Sequence, residues 1–119
     1  MSWTVEVTDE FETWWDQLTE DERVSLDGMI RVLEAHGPSL GPSYNMGVPG
    51  SRHPQLRQLR VPHQGRFLCV LYIPDEERAA LMLLTGTTTG TQEEPCPPEH
   101  VELADLIYRD YLTRRYGPR

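Results

Sequence analysis

Lysine is absent from this chain, and all eleven of its basic side chains are arginines. The absence excludes lysine as a general base and as a Schiff-base nucleophile. Arginine binds phosphate through its planar fork of donors, but it stays protonated at neutral pH and is a poor base. A preference for arginine also arises from a GC-rich genome, so the preference alone does not assign a function.

Long apolar runs are absent as well, since none reaches the ~18 residues that a membrane-spanning helix needs. Residues 1–6 have neither the basic start nor the apolar core of a secretory signal. We therefore expect a cytoplasmic protein that does not bind membranes.

Recognisable metal and cofactor motifs are also missing. Cys69 and Cys96 have no metal-binding or redox spacing, and we interpret both as reduced thiols. The four histidines lack i, i+4 and C-x-x-C companions, and no glycine-rich phosphate loop leads from a strand into a helix. We expect neither a metal nor an organic cofactor.

The apolar pattern of the 119 residues predicts a single α+β domain over 1–119. Apolar residues at i, i+3, i+4 and i+7 predict two helices, of which the second begins with the capping-box signature of Thr19 and Glu22. Residues 67–73 are apolar at successive positions, which favours a central strand. The predicted elements are a strand at 3–8, a helix after Thr8, a helix from Thr19 to Gly37, a loop at 38–54, strands at about 55–61, 66–73 and 78–85, turns at 62–65 and 74–77, and a helix at about 98–114.

The predicted order is therefore β-α-α-β-β-β-α, with a sheet rich in antiparallel pairs and packed by the N-terminal helical hairpin and the C-terminal helix. We expect the two N-terminal helices to cover one face of this sheet. The strand ends and the open concave face are then the places where a site is expected.

Charge is segregated along the chain, whose formal net charge is -8. Residues 51–72 contain four arginines and no acid, whereas residues 1–36 contain ten acids and two arginines. An acidic protein with an acid-free central hairpin is expected to present a cationic surface to an anion, and a phosphate backbone is the leading candidate. The alternative is that these charges are simply solvated.

The acid-free hairpin contains the groups that RNA cleavage by 2′-hydroxyl attack requires. A base removes the 2′-OH proton, an arginine stabilises the charge of the phosphorane, and an acid protonates the leaving oxygen. We expect Arg60 and Arg66 to meet across the turn, with His63 at its tip, whereas a regular pleat would send Arg57 and Arg60 to opposite faces. The candidate catalytic residues are Arg57, Arg60, Arg66, His63 and Tyr108, His53 is a further candidate for proton transfer, and the candidate RNA-binding residues are Arg52, His53 and Arg57.

Four segments that together span most of the chain resemble the RelE/ParE superfamily of toxins, and in particular its HigB-like, phage-derived branch. These segments are Trp3–Trp15, Ser51–Arg60, Gly65–Phe67, and Ala104 and Asp105 with Tyr108 and Leu112. The resemblance implies a RelE-like fold, cleavage of mRNA on the ribosome, and silencing by a cognate antitoxin with a helix-turn-helix domain.

One segment departs from the pattern of that family. Relatives often carry a basic stretch after the last strand, whereas Gly86–Gly90 has no charge here. This departure and the net charge favour an alternative, in which the chain is a non-enzymatic degenerate toxin, or a gyrase-directed relative, that binds an antitoxin.

Overall fold

Five strands form one mixed sheet, and three helices pack against it, within residues 3–37, 46–90 and 96–117, which the computed structural model of this chain describes. The element order agrees with the prediction except for one additional short strand. The elements are β1 (Thr4–Val7), α1 (Asp9–Gln17), α2 (Glu20–His36), β2 (Met46–Gly47), β3 (Arg57–His63), β4 (Arg66–Asp75), β5 (Ala80–Thr89) and α3 (Pro98–Tyr116).

The strands lie in the order β1-β5-β4-β3-β2, so β4 is central, as its apolar composition predicts. Strand β1 pairs parallel to β5, and the other three pairs are antiparallel. The predicted α+β class and antiparallel-rich sheet are therefore confirmed.

The two N-terminal helices begin at side-chain caps and bury their apolar stripes on one face of the sheet. Phe11 N donates to Thr8 Oγ1 at 3.0 Å, which caps α1. The capping box at α2 is complete, since Glu22 N donates to Thr19 Oγ1 and Thr19 N donates to Glu22 Oε1. Helix α1 lies over β5 and α2 over β3. The buried core on this face consists of Phe11, Leu18, Leu26, Leu33, Leu59, Val61, Leu68, Val70, Tyr72, Leu81 and Leu83.

Helix α3 covers β4 and β5 on the opposite face. It buries Val101, Ala104 and Ile107 against a second apolar core that includes Leu71 and Leu84. In the part of the chain that the structure describes, no helix combines the length and the apolar character that crossing a membrane requires.

Two segments outside the predicted strands contain strand residues. Met46 and Gly47, inside the predicted 38–54 loop, pair with β3, while 38–45 lies outside the described residues. Strand β5 continues to Thr89, so the prediction that this strand ends at about residue 85 is wrong. The β-branched threonines favour the strand, and pairing with β4 overrides the two flanking glycines.

The turn between β3 and β4 is also shorter than the sequence predicts. Gln64 and Gly65 form it with positive φ angles of 49° and 80°, the conformation of a tight two-residue hairpin turn. Pro62 and His63, which the sequence places in the turn, belong to β3. Proline is tolerated there because the β2 pairing of β3 involves Arg57 and Gln58, at the other end of the strand.

A cluster centred on Arg78 joins β1, the β4–β5 turn and α3. The guanidinium donates to both carboxylate oxygens of Glu6 at 3.0 Å, to Asp75 Oδ2 at 2.8 Å and to the Tyr111 hydroxyl at 3.0 Å. The hydrogen bond from Arg78 lowers the pKa of Asp75 below its ordinary value. The ionised form of Asp75 is therefore stabilised in the folded protein.

This lowered pKa predicts how stability depends on pH. The contribution of Asp75 is fully present above its unfolded pKa of about 4 and is lost as the pH falls through the lower folded value. We expect Asp75→Asn to reduce the free energy of unfolding at pH 7 and to flatten its decline below pH 4, measured by urea denaturation. Asp110→Asn is the matched control, because Asp110 pairs with Arg114 on an exposed helix surface. Parallel acid limbs for Asp75→Asn and wild type would contradict the prediction.

Candidate functional site

The pleat of β3 divides the predicted arginines between the two faces of the sheet. Leu59 and Val61 pack in the core beneath α1 and α2, and Arg57 shares their face because side chains alternate along a regular strand. Arg60 points to the α3 face, where its register partner Cys69 belongs to the second core. The prediction that Arg57 and Arg60 lie on opposite faces is confirmed. The buried Nε of Arg57 has no hydrogen-bond partner among the described residues.

Arg60 lies in the middle of β3 and is 4% exposed. Its Nη2 donates to Thr89 Oγ1 at 3.2 Å, and its guanidinium lies 5.6 Å from the centre of the Phe67 ring. Arg60 is therefore well inside β3 and not at the strand end beside the turn, where the predicted strand at about 55–61 places it. Register explains the position, because Phe67 pairs with Thr89 and both flank Arg60 on the α3 face.

Arg66 and His63 form a separate group on the α2 face. They are register partners at the hairpin end, and directly opposed residues present their side chains on the same face. His63 Nδ1 and Ser25 Oγ of α2 are 2.8 Å apart and share a hydrogen bond, whereas Arg66 is exposed. Arg60 and Arg66 therefore cannot meet one phosphate, and the predicted pairing of these two residues is wrong.

The fold brings together Arg52, His53 and Tyr108, although more than fifty residues separate His53 from Tyr108 in the sequence. The His53 ring meets the Tyr108 ring edge-on, with centroids 4.8 Å apart and planes at 88°. Asp105 fixes the loop that contains Ser51, Arg52 and His53 to α3. Ser51 Oγ donates to Asp105 Oδ1 at 2.6 Å, and Arg52 N donates to Asp105 Oδ2 at 2.9 Å.

A cavity of about 660 Å³ opens between this loop and α3. The polar groups of its wall come from Arg52, His53, Arg109 and two acids, Glu102 and Asp105, and both arginines are exposed. Its apolar wall includes Pro98, Val101 and Leu106. The cavity therefore combines two guanidinium groups and an imidazole with two carboxylates and an apolar surface, and the guanidinium groups are the part of the wall that can bind an anionic ligand.

Sequence reasoning missed two residues of this site. In the sequence, Asp105 stands out only within the segment that resembles the superfamily, and Arg109 belongs to none of the predicted sets of site residues. The helical spacing of Asp105, Tyr108 and Arg109, at i, i+3 and i+4, is the signal that places all three near one side of α3. Within the described residues, no three histidine, cysteine or acidic side chains are close enough together to hold a metal ion.

Two sequence relatives come from Mycobacterium tuberculosis. The chain is 30% identical to the putative toxin HigB2 over 115 residues, which are 96% of this chain and 56% of HigB2. It is 28% identical to the putative toxin HigB3 over 106 residues, which are 89% of this chain and 90% of HigB3. The chain thus spans little more than half the length of HigB2 but nearly all of HigB3. No protein-family model matches the chain.

Solved structures of RelE proteins share the fold. A double arginine-to-alanine mutant of the E. coli toxin RelE, in the free state, has a TM-score of 0.57 and 13% identity over 96% of this chain and 98% of RelE. The Pyrococcus horikoshii RelE–RelB complex has a TM-score of 0.52 and 12% sequence identity, and the match covers 79% of this chain and 100% of the matched chain. The RelBE2 toxin–antitoxin complex of M. tuberculosis has a TM-score of 0.51 and 15% sequence identity, and the match covers 76% of this chain and 95% of the matched chain. The chain is therefore similar in sequence to two putative HigB toxins and shares the fold of the RelE toxins.

Proposed function

We propose that this chain is the toxin of a type II toxin–antitoxin pair and that it cleaves mRNA on the ribosome as an endoribonuclease. The observation that carries the proposal is the edge-on contact of Tyr108 with His53, a residue of the cavity wall that also holds Arg52 and Arg109. The names of the two M. tuberculosis relatives, both putative toxins, support the toxin assignment.

The proposed reaction is attack of the ribose 2′-oxygen on the adjacent phosphorus. One of the two proton-transfer groups, His53 or Tyr108, accepts the 2′-OH proton, and the other donates a proton to the 5′-oxygen that leaves. The P–O5′ bond breaks as the P–O2′ bond forms, which gives a 2′,3′-cyclic phosphate and a free 5′-hydroxyl. Arg52 binds the scissile phosphate and stabilises its developing charge.

Arg60 has a different role in this proposal. Its guanidinium is held by Thr89 and the Phe67 ring on the same face of the sheet as the cavity. It supplies a fixed positive charge beneath the RNA and holds Thr89 in place. His63 and Arg66 lie on the other face and take no part in the proposed chemistry, since one phosphate cannot reach both faces.

The proposed partner is a cognate helix-turn-helix antitoxin. Three of the similar solved structures are complexes of a RelE-type toxin with its antitoxin. Type II toxins act on the cell that makes them, so the proposed location is the cytoplasm.

A cleavage assay on translating ribosomes tests the proposal. Purified chain is added to ribosomes translating a defined mRNA, and cuts are mapped by primer extension. We expect cuts in the translated mRNA, with cyclic phosphate at the new 3′ ends, and none in the same mRNA without ribosomes.

Intact mRNA in this assay would overturn the nuclease proposal. The uncharged Thr87–Thr89 segment of β5 and the net charge of -8 favour a non-enzymatic antitoxin-binding protein as the second candidate. Antitoxin binding with no cleavage would support that candidate, and inhibition of gyrase supercoiling would support a gyrase-directed relative.

A further inference from the structure

The wall that α3 contributes to the cavity consists of two rows of side chains with i, i+4, i+8 spacing. One row consists of Pro98, Glu102 and Leu106, and the other of Val101, Asp105 and Arg109. Residues four apart lie one above the other on a helix, so each row follows the helix axis. With a rise of about 1.5 Å per residue, the wall extends over about 16 Å. This length, with a cavity volume of about 660 Å³, suits a nucleotide rather than a phosphate alone.

The two ends of this wall differ in polarity. Arg109 is the last residue of its row, and His53 lies at the same end because its ring contacts Tyr108, the neighbour of Arg109 in α3. Pro98 and Val101, at the start of the helix, make the other end apolar. The cavity therefore has one end that can bind a phosphate and one end that can bind an apolar ring.

The two acids of the wall differ in their availability to a ligand. Asp105 is 9% exposed, and its carboxylate oxygens accept hydrogen bonds from Ser51 Oγ and Arg52 N. Glu102 is exposed, and it forms no ion pair with any residue that the structure describes. An ionised carboxylate only accepts hydrogen bonds. Glu102, one turn after Pro98, is therefore the acid of this wall that can accept a hydrogen bond from a ligand at the apolar end.

We propose that the cavity binds the nucleotide beside the scissile phosphate, and that Glu102 selects a base that carries an exocyclic amino group. This inference rests on the proposed cleavage of mRNA. The phosphate lies at the end with His53 and Arg109, and the base lies on the apolar surface at the start of α3, where the Glu102 carboxylate accepts a hydrogen bond from its amino group.

The chemistry of the base edges determines the expected selection. Adenine, cytosine and guanine each carry an amino group that donates to a carboxylate, as cytosine does to acidic side chains in DNA complexes. Uracil has no amino group, and two carbonyl oxygens flank its one ring N–H, so a carboxylate placed there is repelled. Glu102 contacts the base and not the reacting atoms, which makes it a specificity-determining residue.

Sequencing of the cut ends tests the selection. Ribosomes translate mRNAs in which the two nucleotides that flank the cut are varied, and the ends are counted for each base. We expect wild type to cut RNAs with uracil at one of these positions about fivefold less often than RNAs with cytosine there. In Glu102→Gln, whose amide both donates and accepts, this difference should fall to about twofold or less while cleavage continues.

Glu99→Gln is the matched control for this variant. Glu99 is an exposed acid of the same helix, but it does not line the cavity, so the variant should keep the wild-type preference. Equal cutting of the uracil and cytosine RNAs by wild type would overturn the inference, and so would a preference that persists unchanged in Glu102→Gln.

A titration without ribosomes separates this inference from the nuclease proposal. Amide chemical shifts of the complete chain are followed by NMR as CMP or UMP is added, two nucleotides of equal size that differ at the amino group. We expect CMP to bind about fivefold more tightly than UMP, with shifts at residues 98–109, and Glu102→Gln to bind both equally. If mRNA stays intact on ribosomes but CMP is preferred in this way, the nuclease proposal fails and the nucleotide site stands. Equal binding of CMP and UMP to wild type, or shifts confined to residues outside the cavity, would overturn the site.

Discussion

Replacing His53 by alanine is expected to lower the rate of mRNA cleavage on translating ribosomes by about 10²- to 10⁴-fold, the usual contribution of a positioned proton-transfer group. Replacing His63 by alanine is expected to leave the rate within about threefold of wild type, since it lies outside the proton-transfer site. The two histidines form a matched pair, because each is half-buried and each contacts one polar side chain of a helix, Tyr108 for His53 and Ser25 for His63. They differ in the face of the sheet to which they belong.

The face of the sheet on which each histidine lies decides the expected effect of its replacement on the rate of mRNA cleavage. His53 lines the cavity with Arg52, so in this proposal an RNA phosphate bound there meets a guanidinium and an imidazole, and the Tyr108 ring packs against that imidazole. His63 has Arg66 as its register partner but lies across the sheet from Arg60. Electrostatic contributions fall with distance and with the solvent between charges, so His63 is not expected to act on a phosphate in the cavity.

The measurement is the initial rate of cleavage with equal amounts of folded protein, checked by circular dichroism and thermal unfolding. Tyr108→Phe keeps the ring contact with His53 and removes the hydroxyl, so it is expected to lose cleavage while retaining stability. Arg66→Ala is the matched arginine control for Arg52→Ala, because both side chains are exposed. A large loss for His63→Ala and Arg66→Ala, with His53→Ala active, would place the chemistry on the α2 face.

The helices and the central strand of this fold are predictable from sequence because their signals are local. The capping box at Thr19 and the apolar stripe through Leu26 and Leu33 form within one helix, and both are present in the structure. The apolar run of β4 needs no partner to be recognised, because burial on both faces leaves a continuous pattern.

The candidate site was less predictable because it depends on register and on distant contacts. A difference of two residues in the position of the β3–β4 turn decides which residue faces Arg60, and it moves His63 from a turn tip to a strand. Asp105 meets Ser51 across 54 positions, and no local pattern reports such a contact. Charge segregation singled out the segment 51–72 but could not assign its arginines to faces of the sheet.

The close approach of α1 to β5 predicts a large loss of stability for Gly86→Ala. Gly86 is buried and pairs with Val70, and an added Cβ would overlap the Trp14 ring, with Cε3 and Cζ3 well inside van der Waals contact. Trp14 has little room to retreat, because it also packs edge-on against Phe11 with ring centroids 5.8 Å apart. Overpacking of this kind costs about 1–3 kcal/mol in the free energy of unfolding.

The same substitution in a Trp14→Ala protein shows whether the Trp14 ring causes the loss of stability in Gly86→Ala. In a Trp14→Ala protein the space beside Gly86 is open, so Gly86→Ala is expected to be neutral or to stabilise by about 0.4–1 kcal/mol, because alanine restricts the unfolded chain. The two backgrounds together form a double-mutant cycle whose coupling energy should exceed about 1 kcal/mol. Unfolding in urea is followed by circular dichroism rather than fluorescence, since one variant removes a tryptophan.

Gly28→Ala is the matched control for this cycle. Gly28 lies in α2, and an added Cβ there meets no atom within 4 Å. The same substitution is therefore expected to stabilise the protein by up to about 1 kcal/mol through helix propensity alone. An equal loss for Gly86→Ala with and without the Trp14 ring would show that the backbone of β5, rather than its contact with α1, requires glycine. A loss confined to the background that retains Trp14 would establish that this ring, seated on Gly86, sets the distance between α1 and the sheet.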